Sequence, residues 1–313
     1  MHTPTSKRQS LTLQAAENAQ LPQLIENAGD RARQTFFEFF AATIRNPNTR
    51  AAYVRATSQF YRWCYERGIG LHDIEPAVVA AYIEQHPGSP ATIKQHLAAI
   101  RMLGDYLVIK QVIDHNPASV VRGPRHVVKK GKTPVVPRED ARAILEASPN
   151  ERLIDHRDRA LISSLLFSFA RVGAISKMLR ADYQSRGKTD WLRLHEKGGK
   201  HHEVPAHHLS VAALERYIEA GEIRDAKAPL FQSVSRSGEL TGRPVAREKV
   251  ATMLKRRCRA AGVPDIYTPH SLRAAGITIY LEEGGSLEHA QQIAAHESPR
   301  TTKLYDRSAD ASE

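Results

Sequence analysis

Cysteine is scarce in this chain: its 313 residues include only Cys64 and Cys258, which lie far apart and show no CxxC spacing. This scarcity excludes a disulfide framework and gives no cysteine zinc site. Long apolar runs are also missing, since the most apolar segment, residues 161–170, is too short and too rich in serine to span a bilayer. No N-terminal apolar region indicates a signal peptide. Together these absences predict a soluble protein of the reducing cytoplasm.

Acidic residues are outnumbered by basic ones. The sequence has 34 Asp and Glu against 45 Lys and Arg, a formal net charge of +11 and a pI near 9.7. Such a surface attracts polyanions, and nucleic acid is the first partner to consider. Because many proteins carry a basic excess, the charge alone does not identify the partner.

Changes in composition predict two folded domains. Residues 1–30 mix Gln, Asn, Ser and basic side chains, which is typical of a flexible arm with at most one short helix. Residues 31–115 show helical spacing of apolar side chains and predict a compact domain of four helices. Residues 116–138 are rich in Pro, Gly, Val and cations and predict an interdomain linker. Residues 139–313 are predicted to form the second, larger domain.

Cations of the first domain and the linker are candidates for contacts with a phosphate backbone. Capping signals at Asn48-Thr49 and Ser89-Pro90 precede two basic helices. Residues 121–132 contain five cations and no acid, and an extended cationic segment gains affinity by releasing condensed counterions. Solvated helix faces and a plain linker remain the alternatives. The predicted nucleic-acid-binding residues are Arg50, Lys94, Arg101, Arg122, Arg125, Lys129, Lys130 and Lys132.

The second region predicts a mainly α domain with a small antiparallel β-sheet. Its apolar spacing and capping signals predict helices over 139–147, 158–170, 211–220, 247–261, 269–281, 287–294 and 299–304. Residues 191–195 alternate with period two, Gly198-Gly199 allows a tight turn, and residues 202–205 return. This pattern is typical of a β-hairpin.

An ordered set of cations followed by one tyrosine lies near the C-terminus. Thr268 as N-cap and Pro269 at N1 start a helix, so His270 and Arg273 share a face near its N-terminus. The free N–H groups and positive dipole end of such an N-terminus favour a bound anion. Tyr305 follows at the end of a short helix that begins at Ser298-Pro299.

Three more polar residues complete this set: Arg171 where an apolar helix ends, Lys197 beside the hairpin turn, and His296 nine residues before Tyr305. A guanidinium matches phosphate oxygens with a planar fork of donors, histidine exchanges protons near neutral pH, and a phenol can attack phosphorus. A free phenol has a pKa of about 10, so neighbouring cations are needed to stabilise the tyrosinate. The set indicates phosphodiester chemistry.

The order Arg, Lys, His-x-x-Arg, His, Tyr resembles that of the tyrosine recombinase, or phage integrase, family of site-specific DNA recombinases. The resemblance extends from Asn48 to Arg307 and includes an Asn-Pro linker at Asn116-Pro117. It implies a helical core-binding (SAM-like) domain followed by a catalytic domain with the DNA breaking-rejoining enzyme fold. The catalytic residues that it implies are Arg171, Lys197, His270, Arg273, His296 and Tyr305.

The resemblance also implies a role for each of these side chains. The two arginines bind the scissile phosphate, and His296 donates a further hydrogen bond to it. Tyr305 attacks phosphorus to give a 3′-phosphotyrosyl link, His270 accepts the phenolic proton, and Lys197 protonates the leaving 5′-oxygen. Attack by the partner strand's 5′-hydroxyl reverses the step. The implied reaction therefore needs no metal, no ATP and no other cofactor.

The partner implied by the resemblance is double-stranded DNA with an inverted-repeat recombination site. A dimer per site and a tetramer in the synapse are expected, in the cytoplasm at the nucleoid, with accessory DNA-bending proteins as further candidates. Mobile genetic elements are the family's usual setting.

Three positions depart from the family pattern. The family often reads Arg-x-Gly-Glu, whereas this chain ends the motif at Ala174, so another group must support Arg171. Ala274 stands where His is frequent, and Ala295 stands where Gly is common; neither change affects a catalytic head group.

Two other functions remain open from the sequence. A type IB topoisomerase-like enzyme would use the same nucleophile to relax DNA as a monomer. A catalytically weak DNA-binding regulator with the same fold is suggested by Ala174 and by the eight residues that follow Tyr305. No metal is predicted, because the histidines around the hairpin lack a carboxylate or cysteine at a recognisable ligand spacing. These histidines are His195, His201, His202, His207 and His208.

Overall fold

The computed structural model describes residues 21–125, 133–147, 151–196 and 201–306. The chain divides into two compact units, Met1–Val127 and Val128–Glu313, and the division falls inside the segment predicted to be a linker. The predicted site residues Lys129, Lys130, Lys132 and Lys197 lie outside the described residues. Within the described ranges, no helix is long and apolar enough to cross a membrane.

Helices make up the N-terminal unit. They are α1 (Gln23–Asn27), α2 (Asp30–Glu38), α3 (Pro47–Tyr65), α4 (Pro76–Gln85) and α5 (Pro90–Ile109), with a π-helical turn at Phe39–Thr43 and a 3-10 turn at Leu71–Asp73. A proline at the first position starts α3, α4 and α5, where its missing N–H costs no hydrogen bond. The α3 N-cap is Asn46, two residues before the predicted signal, and its side chain accepts from the backbone of Asn48 and Thr49.

The folded N-terminal unit starts earlier than predicted. Leu24 and Ile25 of α1 are buried in the same apolar core as Phe36 and Phe60. Burying each of these side chains contributes roughly 1.5–3 kcal/mol, which offsets part of the entropy lost when this short helix becomes ordered. The boundary at residue 30 was therefore wrong for the part of the arm that the structure describes, while residues 1–20 lie outside it.

The predicted linker also begins later than residue 116. Asn116 donates to the backbone carbonyl of Arg101 over 2.9 Å and accepts from the Ala118 amide over 3.0 Å. A Cβ on Gly104 would lie 2.4 Å from the Asn116 side-chain oxygen, so only glycine permits this approach to α5. Ala118 and Val121 are buried, and residues up to 121 belong to the helical unit.

The C-terminal unit is mainly helical around a small antiparallel sheet, as predicted. Its helices are α6 (Arg138–Glu146), α7 (Leu153–Phe167), α8 (Val172–Ile175), α9 (His208–Ala220), α10 (Arg247–Ala260), α11 (Pro269–Glu282), α12 (Leu287–Ile293) and α13 (Pro299–Lys303). Its strands are β1 (Tyr183–Arg186), β2 (Thr189–His195), β3 (His201–Pro205), β4 (Gln232–Val234) and β5 (Leu240–Pro244).

Strands β1, β2 and β3 form one antiparallel sheet in that order, and β4 pairs with β5 in a second. The predicted hairpin is confirmed, with Leu192 opposite Val204 and His195 opposite His201. Strand β1 and the β4–β5 pair were not predicted. Leu192, Leu194 and Val204 face the core, which fixes the register of the hairpin.

Helix α11 carries two of the predicted catalytic residues and packs closely on α7. A Cβ on Gly276 of α11 would lie 2.0 Å from the Leu166 carbonyl oxygen. A side chain at this position would push the two helices apart. Gly276 therefore sets the depth at which α11 lies in the unit.

Candidate active site

The N-terminus of α11 is capped as predicted. The Thr268 hydroxyl accepts from the Ser271 amide over 3.2 Å, and the Ser271 hydroxyl accepts from the Thr268 amide over 3.1 Å. This reciprocal pair fixes the first turn of the helix. His270 in that turn is exposed, whereas Arg273, one turn later, is only 1% exposed.

Arg273 is held by two backbone carbonyls. Its Nη1 donates to the carbonyl of Phe169, and its Nη2 donates to the carbonyl of Ala294 over 2.6 Å. Phe169 has a φ of 52°, and Ala295, the residue after the second carbonyl, has a φ of 47°. Non-glycine residues rarely adopt this left-handed conformation. Two strained turns thus present the acceptors that orient this buried guanidinium.

His296 lies between Arg273 and α13. Its Nε2 accepts from Arg273 Nη2 over 2.7 Å, and its Nδ1 lies 2.9 Å from the Thr302 hydroxyl. A guanidinium can only donate, so Nε2 is unprotonated and the Nδ1–H donates to Thr302. Burial, together with the charges of Arg273 and Arg171, lowers the pKa of His296 to about 4.

Tyr305 contacts both histidines of the predicted set. Its ring is stacked on the ring of His296, with centroids 5.9 Å apart and planes at 10°. Its hydroxyl lies 3.4 Å from Nε2 of His270, a long hydrogen-bond contact. Its carbonyl accepts from the Thr278 hydroxyl of α11 over 3.2 Å. Tyr305 is buried in a small apolar cluster with Phe169.

Arg171 is the N-cap residue of α8 and is half-exposed, with 48% of its side chain accessible. Its Nη1 donates to Oε2 of Glu196 over 2.6 Å. Because position 174 is alanine and carries no carboxylate, another group was expected to support Arg171. Glu196 directly follows β2, and its side chain is 93% buried. This carboxylate partner of Arg171 was not predicted from the sequence.

The site is strongly cationic. Burial, and then the charge of Arg171, lowers the pKa of Arg273 to about 10. Desolvation of the ring, followed by the charges of Arg273 and Arg171, also lowers the pKa of His270 below its ordinary value. The lowered pKa values favour the neutral form of both imidazoles near neutral pH, and a neutral imidazole is the form that can accept a proton. An anion bound here would relieve the repulsion between the two arginines.

Four of the six predicted catalytic residues are joined by direct contacts: His270 to Tyr305, Tyr305 to His296 and His296 to Arg273. Arg171 is not joined to them by a direct contact in the described residues, but its charge contributes to lowering the pKa of His270, Arg273 and His296. Lys197 lies outside the described residues. Thr302 and the two carbonyls that hold Arg273 were not predicted, because main-chain acceptors leave no mark in a sequence.

The predicted DNA-contacting cations of the N-terminal unit fall into two groups. Arg101 donates to the carbonyls of Ala118 and Val121, and Arg50 donates through Nε to the Ile44 carbonyl over 3.0 Å. These two guanidinium groups are at least partly engaged in holding the fold. Lys94, Arg122 and Arg125 are exposed and stay candidates for backbone contacts.

Among the described residues, no group of three His, Cys, Asp or Glu side chains could hold a metal ion. The histidines near the hairpin have other partners. His195 lies 2.8 Å from an Asp182 carboxylate oxygen, His202 lies 3.0 Å from the Ile293 carbonyl, and His207 stacks on Phe167.

The chain is similar in sequence to known proteins. The phage integrase family model matches residues 134–312. A tyrosine recombinase XerC from Myxococcus xanthus is 28% identical over 269 residues, 83% of this chain and 87% of the relative. A second XerC, from Pelobacter propionicus, is 29% identical over 277 residues, 86% of this chain and 88% of the relative.

Two solved structures share the fold. The XerH site-specific recombinase in a post-cleavage complex with a palindromic difH substrate has a TM-score of 0.72 at 16% identity, over 97% of this chain and 86% of that one. A lambda integrase dimer bound to a COC′ core site has a TM-score of 0.66 at 19% identity, over 100% and 83%. These likenesses confirm the predicted fold class. Since its family model covers more than half of the sequence, this chain belongs to the phage integrase family.

Proposed function

We propose that this protein is a site-specific DNA recombinase that cuts and rejoins duplex DNA through a 3′-phosphotyrosyl intermediate on Tyr305. The observation that carries the proposal is the chain of contacts from His270 through Tyr305 and His296 to Arg273. It gathers a nucleophile, a neutral base and a fixed guanidinium in one place. Relatives of this chain named tyrosine recombinase support the same reading.

In the proposed reaction, Arg171 and Arg273 bind the non-bridging oxygens of the scissile phosphate and stabilise the charge that builds on them. His270 accepts the phenolic proton while the Tyr305 oxygen forms a bond to phosphorus. The bond from phosphorus to the 5′-oxygen breaks, and Lys197 gives that oxygen a proton. The phosphodiester energy is kept in the tyrosyl bond, so rejoining needs neither ATP nor a metal.

The proposed partner is duplex DNA with an inverted-repeat site, bound by two protomers and paired with a second site in a tetramer. The structural relatives are described as a dimer on a core site and as a complex on a palindromic substrate, which supports this arrangement. Accessory DNA-bending proteins and a cytoplasmic, nucleoid-associated location complete the proposal. The exposed cations Lys94, Arg122 and Arg125 would contact the phosphate backbone.

A covalent trapping experiment tests the proposal. The binding site is first selected from a random-sequence duplex library with the Tyr305→Phe variant, which should bind but not cut. A nicked duplex of the selected sequence then traps the cleavage intermediate. We expect a denaturant-resistant adduct with wild type, mapped to Tyr305, and none with Tyr305→Phe.

Tyr280→Phe is the matched control, because Tyr280 lies on α11 and its hydroxyl contacts the surface residue His289 over 2.7 Å. It should form the adduct at the wild-type rate. An adduct formed by Tyr305→Phe would overturn the proposed nucleophile. An adduct without strand exchange between two sites, but with supercoil relaxation, would favour a topoisomerase, and binding without any adduct would favour a DNA-binding regulator.

A further inference from the structure

Arg171 pairs with Glu196, a carboxylate distant in sequence, whereas the neighbouring position 174 provides no carboxylate. Arg171 caps α8, and the third residue of that helix is Ala174, which has no polar side chain. Among the described residues no side chain caps the α8 N-terminus: the Arg171 guanidinium carries only donors, and it is the Arg171 backbone carbonyl that accepts from the Ala174 and Ile175 amides. A half-exposed arginine without a partner would sample many rotamers. A side chain outside α8 must therefore fix the orientation of the Arg171 guanidinium.

Glu196 is placed to do this from a rigid base. It follows β2, the central strand of the three-stranded sheet, at the end where His195 lies opposite His201. His195 is in turn held by Asp182 at 2.8 Å. The side chain of Glu196 is 7% exposed, against 48% for Arg171. A buried carboxylate on a strand end thus orients a more mobile guanidinium.

The carboxylate itself depends on this contact. Oε2 accepts from Arg171, whereas Oε1 is buried without a hydrogen-bond partner among the described residues. A buried carboxylate that lost its cation would be strongly destabilised. The Arg171 fork uses Nη1 here, which leaves Nη2 and Nε to approach a phosphate. The contact therefore orients the guanidinium and leaves Nη2 and Nε as donors for a phosphate.

The charge of Glu196 also affects the rest of the site. Burial is the main cause that lowers the pKa of Arg273, the charge of Arg171 lowers it further, and the charge of Glu196 raises it.

We propose that Glu196 is the positioning residue for Arg171 and supplies, from the end of β2, the carboxylate that position 174 lacks. This role rests on the proposed function. Loss of this carboxylate should slow the cleavage step, because Arg171 acts on the scissile phosphate. The affinity for the DNA site as a whole should not change.

Glu196→Gln tests this role with the nicked duplex described above. The amide keeps the shape but loses the charge-assisted pair, and we expect single-turnover cleavage to slow by about 10- to 100-fold. Site affinity in a gel-shift assay should change by less than about twofold, because phosphate contacts elsewhere set it. Glu203→Gln is the matched control on β3, where Glu203 pairs with Arg186 at 2.7 Å and Arg193 at 3.0 Å. It should cleave at the wild-type rate.

A double-variant cycle separates positioning from general structural damage. In an Arg171→Lys background the planar fork is already lost, so adding Glu196→Gln should change the cleavage rate by less than about twofold. An equal loss in both backgrounds, or a wild-type rate for Glu196→Gln, would overturn the role of Glu196 while the proposed function stands. If the wild-type protein formed no adduct, both the proposed function and the role of Glu196 would be overturned. Thermal unfolding of each variant checks that it is folded.

Discussion

Arg273 donates from Nη2 to Nε2 of His296 over 2.7 Å, so in this arrangement that imidazole nitrogen is an acceptor and cannot donate to a phosphate. For His296 to donate to phosphate, this nitrogen must gain a proton and Arg273 must turn its fork toward the DNA. A bound phosphate favours both changes, since an anion stabilises a protonated imidazole. We therefore expect substrate binding to favour a proton on Nε2 of His296.

Nitrogen NMR of histidine-labelled protein can check this state directly. Near neutral pH and without DNA, we expect His296 to be neutral and protonated on Nδ1, because Nε2 accepts from Arg273 and Nδ1–H donates to Thr302. Its pKa of about 4 should rise when the selected duplex is added. The His296→Gln variant assigns the signal. Protonation on Nε2 in the free protein would contradict the predicted arrangement.

Ala295 offers a test of strain beside the site. Its φ of 47° lies in the left-handed region, where an L-residue with a Cβ costs about 1–2 kcal/mol. We expect Ala295→Gly to raise the free energy of unfolding by about 1 kcal/mol, after the larger chain entropy of glycine is subtracted. Urea unfolding measures this change.

The neighbouring residue supplies the control for that variant. Ala294 ends α12 with a φ of −76°, which alanine adopts without strain. Ala294→Gly should therefore lower the free energy of unfolding, by about 0.5–1 kcal/mol. Loss of stability in both variants would show that Ala295 is not strained.

The sequence predicted the features that local residues determine. The Thr268-Pro269 and Ser89-Pro90 starts, and the helix that begins at Pro299, were correct because a cap and its proline act within one turn. The hairpin was correct because alternation marks a half-buried strand. Strands β4 and β5 were missed because they are short, and β5 is exposed along most of its length.

The start of α7 was predicted five residues too late for a different reason. Its first turns contain Asp155, Arg157 and Asp158, which apolar periodicity does not recognise as core residues. Asp155 and Asp158 are nevertheless fully buried, and both pair with Arg257 of α10, at 2.6 and 2.7 Å. Partners so distant in sequence cannot be derived from local patterns. The same limit concealed Glu196, which lies 25 residues from Arg171.

Salt dependence can separate the two groups of N-terminal cations. Lys94 and Arg122 are exposed, and if each neutralises one phosphate, Lys94→Ala or Arg122→Ala should reduce the slope of log affinity against log salt by about 0.9. Arg101→Met should instead destabilise the helical unit, because Arg101 holds the carbonyls of Ala118 and Val121. Filter binding at several salt concentrations and urea unfolding provide the two readouts. An unchanged slope in both exposed-site variants would remove these residues from the DNA contacts.

A buried histidine outside the active site should make stability depend on pH. His96 is 6% exposed and lies 2.9 Å from the Tyr82 hydroxyl, and burial, reinforced by the nearby His86, lowers its pKa to about 4. The unfolded chain binds a proton at His96 near the ordinary value of about 6.5, whereas the folded chain does not. The contribution of neutral His96 to the free energy of unfolding is therefore fully present above about pH 6.5 and is lost as the pH falls toward 4.

The His96→Gln variant isolates this contribution from that of the carboxylates that titrate in the same range. Between pH 6.5 and 4, the slope of the unfolding free energy against pH should be smaller in the variant by up to about 1.4 kcal/mol per pH unit, the value for one proton. Urea unfolding of both proteins at a series of pH values gives the two slopes. Exposed His72 provides the matched control, because His72→Gln removes a histidine that the fold does not bury. Equal slopes in wild type and His96→Gln would show that His96 gains its proton equally well in the folded chain.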